Sequence, residues 1–355
     1  MIVKSVALKN FRNHSYLSYD FSRGMNVITG PNAAGKTNVV EGIAYLSLAR
    51  SFRTTETSDL IQKGKEKAEI EAVIEEGDIV RKLRAILFKD SKILQINGKN
   101  VSKLSELIKC LNVTVFEPND AFLFKGPPKE RRNFLDVSLS RKSPIYFEYL
   151  SRYQKILKDR NDILKSENPD PILLETNTEM LSKLAGPIIS YREMYVKDIN
   201  DILIKITRAL TGAKENLQII YKPFVENGKE VENNAKQAFN RALENDLKKK
   251  VTSVGVHRED FSIALKGRDI GIYGSQGENR IVALALKLAP YFLIEDTDKR
   301  PVIVLDDVMS ELDDEHKNRL LKFLAKFEQV FITSTELKVN GANHFYIKKK
   351  LQEVF

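Results

Sequence analysis

Residues Gly30-Pro31-Asn32-Ala33-Ala34-Gly35-Lys36-Thr37 stand between an apolar strand pattern, Met25 to Thr29, and a helical pattern, Lys36 to Arg50. The spacing G-x-x-x-x-G-K-[ST] between strand and helix is that of a phosphate-binding loop. Its glycines let the backbone wrap a triphosphate so that N–H groups face the oxygens, and the helix amino end adds partial positive charge. Lys36 is placed to reach the β and γ phosphates. Thr37 is placed to set its hydroxyl on Mg²⁺, a cation that takes few protein ligands and relies on phosphate oxygens for others. All eight residues are therefore expected to bind nucleotide, with ATP and Mg²⁺ as the cofactors.

Such a loop needs a second strand that ends in carboxylates, and Val302-Ile303-Val304-Leu305-Asp306-Asp307 supplies one. Asp306 is expected to hold the metal through water and Asp307 to polarise the attacking water, which makes Lys36 and Asp307 the catalytic candidates. A helix cap is the plainer reading of the two acids, but adjacent acids at the end of a buried strand are costly without a cation. The acid strand lies much farther from Thr37 than a compact domain allows, so a large segment is inserted between them.

That insertion is visible in the pattern. The first thirty residues read as strands, Ala68 to Asn100 alternates as an antiparallel sheet closing at Asn97-Gly98, and Pro127 to about Lys250 is mostly charge-laced helix. Within that stretch, Leu217 to Tyr221 reads as a short strand. The last hundred residues alternate strand and helix again. Residues 1–118 with 251–355 are expected to form one discontinuous head, its two ends sharing a sheet, and 119–250 a projecting helical domain.

With 355 residues, 42% hydrophobic and 30% charged, the chain is globular. No apolar run reaches the roughly 18 residues a membrane span needs, because Lys287 and Pro290 interrupt the richest stretch. The amino end lacks a signal peptide's apolar segment, so a cytoplasmic location and no membrane partner are expected. The single cysteine, Cys110, excludes an intrachain disulfide framework and reads as a small buried apolar group. The net charge of +9 decides nothing alone, although Lys125, Lys129, Arg131, Arg132, Arg141 and Lys142 crowd one stretch that could neutralise phosphates. A solvated helix face explains that stretch equally well.

Ahead of the acid strand stands Gly274-Ser275-Gln276-Gly277-Glu278-Asn279-Arg280, and after it Ser310-Glu311-Leu312-Asp313. In this order the set resembles the ABC-type ATPase head: a P-loop, a degenerate signature loop, an acid strand and a D-loop. The resemblance implies an α/β fold with a mixed sheet, an antiparallel subdomain and an inserted helical lid. It also implies that Ser275, Gln276, Gly277 and Glu278 act in trans, completing the γ-phosphate site of a second protomer. Ser275 Oγ, the Gly277 amide and the helix amino end form a second anion cradle suited to that task.

Further segments resemble the RecF family of bacterial recombination and repair proteins nearly end to end: Leu8 to Asn13, Ser51 to Thr54, Phe116 to Asp120, Lys125 to Asp136, Tyr153, Asp159 to Asn161, and His257 to Asp260. The resemblance implies a clamp that closes on DNA as an ATP-dependent homodimer and recognises gapped or single-strand/double-strand junctions. It implies work with RecO and RecR to place RecA on strands coated by SSB, a weak DNA-stimulated ATPase, nucleoid association, and a role in replication restart and the SOS response. An SMC-like chromosome-structuring head would need far longer heptad arms, and a transporter ATPase would carry its signature much nearer the P-loop.

The chain departs from the family at Ala33, where Gly is usual and Ala is comfortable only at negative φ; at Glu278, where Gln is frequent; and at Phe52, where His is frequent. Asp307 is shorter than the Glu of many relatives, and Ser334-Thr335 replaces a switch histidine, so slow hydrolysis is expected. Arg12, Arg53 and His257 to Asp260 are read as either nucleotide contacts or ion pairs.

Overall fold

The structure, a computed structural model, describes residues 1–213 and 217–348, so the end of the expected head at 349–355 lies outside the described residues. In chain order the strands and helices are β1 (Ile2–Phe11), β2 (His14–Asp20), β3 (Gly24–Thr29), α1 (Lys36–Leu48), β4 (Lys67–Glu76), β5 (Ile79–Phe88), β6 (Lys92–Ile96), β7 (Lys99–Asn100), α2 (Leu104–Cys110) and β8 (Val113–Phe116). Then follow α3 (Pro128–Lys142), α4 (Pro144–Lys165), α5 (Pro171–Thr211), β9 (Leu217–Lys222), α6 (Val231–Lys249), β10 (Asp260–Leu265), β11 (Arg268–Asp269), α7 (Ile270–Tyr273) and α8 (Gln276–Phe292). The chain closes with β12 (Val302–Asp306), α9 (Asp314–Leu324), β13 (Gln329–Ser334) and β14 (Asn343–Tyr346).

Two compact units result. The first holds, of the described residues, 1–120, 209–212 and 284–348 and contains two sheets. One is antiparallel in the order β2-β1-β4-β5-β6-β7; the other is β14-β3-β13-β12-β8, parallel throughout. The parallel sheet draws β3 and β8 from the amino-terminal third and the rest from the carboxyl-terminal end, so the two ends do share a sheet. Its inner strands β13 and β12 are buried at every position, as parallel strands covered on both faces must be. Helix α1 packs Val39, Val40, Ile43 and Leu46 into the same core, where Cys110 is also buried. The fully buried Gln329 side chain ties β13 to β1, accepting from Val3 N at 2.8 Å and donating to Val3 O at 2.9 Å and Ser22 O at 3.0 Å.

The second unit holds, of the described residues, 121–208, 213 and 217–283, that is, helices around the antiparallel sheet β11-β10-β9. Residues 251–283, expected in the head, group with this unit instead, because β10 pairs with β9 along its whole length, from Asp260 opposite Lys222 to Leu265 opposite Leu217. Strand pairing overrides the apparent return to strand and helix alternation that suggested otherwise.

The core of the second unit is partly ionic. Arg192 is buried and meets Asp136 at 2.7 Å, Val256 O at 2.8 Å, Tyr146 Oη at 3.1 Å and the Glu259 carboxylate, which also accepts from Tyr221 Oη. Arg160, fully buried, donates to Asp246 at 2.8 Å and Thr252 Oγ1 at 2.7 Å, with its guanidinium 5.7 Å from the Phe239 ring centroid. A buried guanidinium is tolerable only when its charge is paired, and each here has a carboxylate, although Arg160 Nη2 has no hydrogen-bond partner among the described residues. His257 sits beside this network, 3.1 Å from Tyr153 Oη and 3.1 Å from Thr252 O, and burial holds it down to about 4.

Two outcomes are expected. The folded His257 lies below its unfolded value, so the unfolded chain binds the extra proton first. Its contribution to stability, up to about 3 kcal/mol, is complete above pH 6.5 and drains away as pH falls through about 4. Urea unfolding at pH 7 and pH 5 should show a loss that is largely absent in His257→Gln. The second concerns Ala33, whose φ is +64°, not the negative value at which Ala would be comfortable. The left-handed region costs an L-residue about 1–2 kcal/mol, partly offset by the greater unfolded freedom of Gly. Ala33→Gly should therefore raise stability by about 0.5 kcal/mol, read as a higher melting temperature without nucleotide.

Candidate nucleotide site

The P-loop joins β3 to α1 in the first unit. Two of its glycines are dictated by space as well as angle: a Cβ on Gly35 (φ +101°) would stand 2.4 Å from His14 Nε2, and one on Gly30 (φ +151°) 2.3 Å from Ile347 O. The Lys36 ammonium turns back onto the loop and donates to Gly30 O at 2.8 Å and Pro31 O at 2.9 Å. Burial lowers its pKa, against the opposing pull of Asp307 and Asp306. A cation held only by neutral carbonyls has a better partner available in any anion that enters the loop.

The acid strand β12 lies one strand removed from β3, with β13 between them. Asp306 Oδ1 accepts from Thr37 Oγ1 at 2.8 Å and from Thr333 Oγ1 at 2.7 Å, so one oxygen joins α1, β12 and β13. The carboxylate is buried, and desolvation raises its pKa. Among the described residues its hydrogen bonds come from hydroxyls and none from a cation. A buried carboxylate touching a hydroxyl, open to a positive charge, fits the hard oxygen chemistry of Mg²⁺. Among the described residues no group of three or more Asp, Glu, His or Cys could form a metal cage. Asp307 is exposed at φ +52°, held by its N–H to Thr333 Oγ1 at 2.9 Å, and its carbonyl accepts from Ser310 Oγ at 2.8 Å. Asp tolerates that backbone better than most residues.

Arg12 and Arg53 are ion-paired. Both converge on Glu41, a fully buried carboxylate of α1: Arg12 Nε lies 2.9 Å and Arg53 Nη1 3.1 Å from Glu41 Oε2, while Ser51 Oγ donates to Glu41 Oε1 at 2.6 Å. The sequence reading did not single out Glu41. Its placement one helical turn past Thr37, on a helix otherwise apolar at that level, was the available signal. His257, Glu259 and Asp260 likewise serve the second unit's interior, and Arg258 donates to Thr252 O at 3.2 Å.

The signature residues belong to the second unit. Ser275 N donates to Glu278 Oε2 at 2.9 Å and Glu278 N to Ser275 Oγ at 3.2 Å, a reciprocal capping box on α8. The hydrogen bond from Ser275 N leads the causes that hold the Glu278 carboxyl below its usual range. Ser275, Gln276 and Gly277 are exposed, and a Cβ on Gly277 would meet nothing within 4 Å. Nothing inside the chain requires glycine there. In the D-loop, Asp313 caps α9 through His316 N at 2.8 Å.

The basic stretch divides. Arg131 is buried and bidentate with Asp260, both contacts at 2.8 Å, and also donates to Gly126 O at 2.7 Å. It holds the start of α3 to β10 and is not a phosphate contact. Arg132 donates to Glu259 O at 2.8 Å, Arg141 is partly buried, and Lys142 pairs with Asp198 at 2.8 Å. Lys125 and Lys129 are exposed and form no ion pair among the described residues.

Comparison with known proteins agrees with this geometry. The family model described as the RecF/RecN/SMC N-terminal domain matches residues 2–351. The DNA replication and repair protein RecF of Lachnoclostridium phytofermentans is 36% identical over 343 residues, covering 95% of this chain and 94% of the relative. The solved structure of the recombination mediator protein RecF with ATP, in the RecFOR pathway, superposes with a TM-score of 0.89 at 34% identity, covering 99% and 98% of the two chains. The SMC head domain of Pyrococcus furiosus, at 18% identity and a TM-score of 0.58 over 94% of this chain and 89% of its own, shares the fold. The chain belongs to the RecF family and has the α/β ABC-type ATPase head fold.

Proposed function

We propose that this chain is an ATP-dependent DNA-binding protein of replication and recombinational repair, in which ATP joins two copies around DNA and slow hydrolysis releases them. The observation that carries the reading is the contact of Thr37 with Asp306, which brings the P-loop and the acid strand to one point. Kinship with RecF proteins solved with ATP supports the same conclusion. Gapped duplex and single-strand/double-strand junctions are the proposed DNA, RecO and RecR the proposed partners, and RecA loading on SSB-coated strands the proposed outcome. The first unit serves as the ATPase head and the second as the lid that presents the signature loop.

In this reading the loop amides and the α1 amino end hold the triphosphate, and Lys36 exchanges its two carbonyl partners for phosphate oxygens. Thr37 and Asp306 hold Mg²⁺, which when bound neutralises charge on the β and γ oxygens. Asp307 is the group that orients and deprotonates the attacking water, and its short reach keeps turnover low. The open space over Gly277 and the exposed Ser275 let the γ-phosphate of a second copy approach the α8 amino end. Base-reading modules are not evident in the sequence, so backbone contact is the proposed mode of DNA binding.

Lys36→Ala is expected to weaken ATP binding on the order of 100-fold in calorimetry. Ser275→Arg should bind ATP normally yet stay monomeric in size-exclusion with ATP, and an equal mixture of the two variants should recover part of the dimer through one intact composite site. Normal dimerisation of Ser275→Arg rejects the shared site. For DNA, affinity should fall steeply with salt and depend little on base sequence. Replacing Lys125 and Lys129 together by Ala should lower the log–log salt slope by about 2, measured by fluorescence anisotropy on a gapped duplex.

A further inference from the structure

The loop that carries Ser275 is clamped from inside its own unit by one side chain. Asn279 lies at the end of the first turn of α8 and is 2% exposed. Its Nδ2 donates to Gly274 O at 3.0 Å and to Ser275 O at 2.8 Å, and Ser275 O also accepts from Asn279 N at 3.0 Å. Two successive carbonyls are therefore fixed. Because each peptide group is planar, holding the Gly274 carbonyl sets the direction of the Ser275 N–H, and holding the Ser275 carbonyl sets that of the Gln276 N–H. The approach is close as well. A Cβ on Gly274 would stand 2.8 Å from Asn279 Nδ2, 2.4 Å from Ile270 Cγ1 and 2.5 Å from Ile270 O, at a φ of −70° that any residue could adopt. Glycine is needed there for space, not for angle.

The same carboxamide is poorly served as a structural group. Turning it over would set Oδ1 against two carbonyl oxygens, so its orientation is forced, and Oδ1 then has no hydrogen-bond partner among the described residues. A sheltered acceptor without a donor gives up its hydration for nothing, whereas Leu, of similar size, would lie there without that cost. Helix propensity points the same way, since Asn ranks below Leu inside a helix. Stability alone would choose an apolar residue. What Asn adds is the pair of bonds to the signature loop.

We propose that Asn279 is a positioning residue of that loop: its carboxamide locks the Gly274 and Ser275 peptide groups, so that the Ser275 hydroxyl and the first amides of α8 meet the γ-phosphate of a second copy already aligned. The inference rests on the shared-site reading above and adds to it a buried residue that acts only through the loop. A loop left unclamped must be ordered at each encounter, and that ordering is subtracted from the affinity. Losing the clamp therefore weakens pairing without altering how a single chain binds ATP.

The test uses the full chain, Asn279→Leu, and Asn279→Ala as a second variant that demands no space, in magnesium with a non-hydrolysable ATP analogue. Calorimetry on dilute, monomeric protein should give the nucleotide affinity of the unsubstituted chain. Analytical ultracentrifugation should show a dimer dissociation constant raised about tenfold. The melting temperature without nucleotide should hold or, for Asn279→Leu, rise. Combining Asn279→Leu with Ser275→Ala should weaken pairing by less than about threefold beyond Ser275→Ala alone, because both changes strike one loop. Unaltered dimerisation in both variants overturns the proposal, as do fully additive losses, or pairing that falls only in step with a lower melting temperature in both. If the unsubstituted chain does not pair with nucleotide, the shared-site reading itself fails, and that result appears before any substitution.

Discussion

One oxygen of Asp306 carries the geometry of the first unit. It accepts from Thr37 at the start of α1 and from Thr333 on β13, and the Thr333 hydroxyl in turn receives the Asp307 N–H. The P-loop, the acid strand and the following loop are thereby held to a common point within hydrogen-bond tolerance. Hydroxyls, which can donate or accept, stand between the carboxylate and its neighbours on α1 and β13. Desolvation of Asp306 is the price of that position, and the same desolvation makes the corner attractive to a divalent cation. Burial and function are one electrostatic fact here.

The second unit solves a different problem. Its interior holds Arg160 and Arg192 with their carboxylates, a costlier choice than an apolar core of equal volume, yet one whose directional ion pairs tie α3, α4, α5, α6 and the residue before β10 together. Many of the residues that gave the family resemblance, among them Asp136, Tyr153, Arg160 and His257 to Asp260, lie in or beside this network. Their recurrence in a recognisable pattern therefore reflects the architecture of the unit more than contact with a ligand.

Much of the head was legible because its chemistry imposes spacing. The helix expected over Lys36 to Arg50 and the strand expected over Val302 to Asp307 fall within two residues of their bounds, since strand and helix periods and glycine placement are local properties. What was not legible depended on partners distant in the chain. Arg131 looks like its basic neighbours until Asp260 closes on it from a strand far along the sequence. The positive φ of Ala33 is set by the tightness of the whole loop, not by its own side chain. Residues 251–283 alternate like the head but pair with β9. Glu41 carries no motif at all; only its burial distinguishes it from an ordinary surface acid.

The signature loop shows why a motif can have two readings that are both physically correct. Ser275 and Glu278 cap α8 reciprocally, so in the isolated chain the hydroxyl and one carboxylate oxygen satisfy amides that would otherwise be orphaned. A γ-phosphate brought by a second copy would compete for those same amides and for the Ser275 hydroxyl. It carries more charge than the cap it displaces, so the exchange favours the phosphate, but the Glu278 carboxylate must swing away or be repelled. Association therefore gains only the difference between a phosphate and a capping box. A glutamine at that position would cap nearly as well without the repulsion. In the pairing proposed above, Glu278 would therefore make the composite site weaker and more readily reversed than a glutamine would.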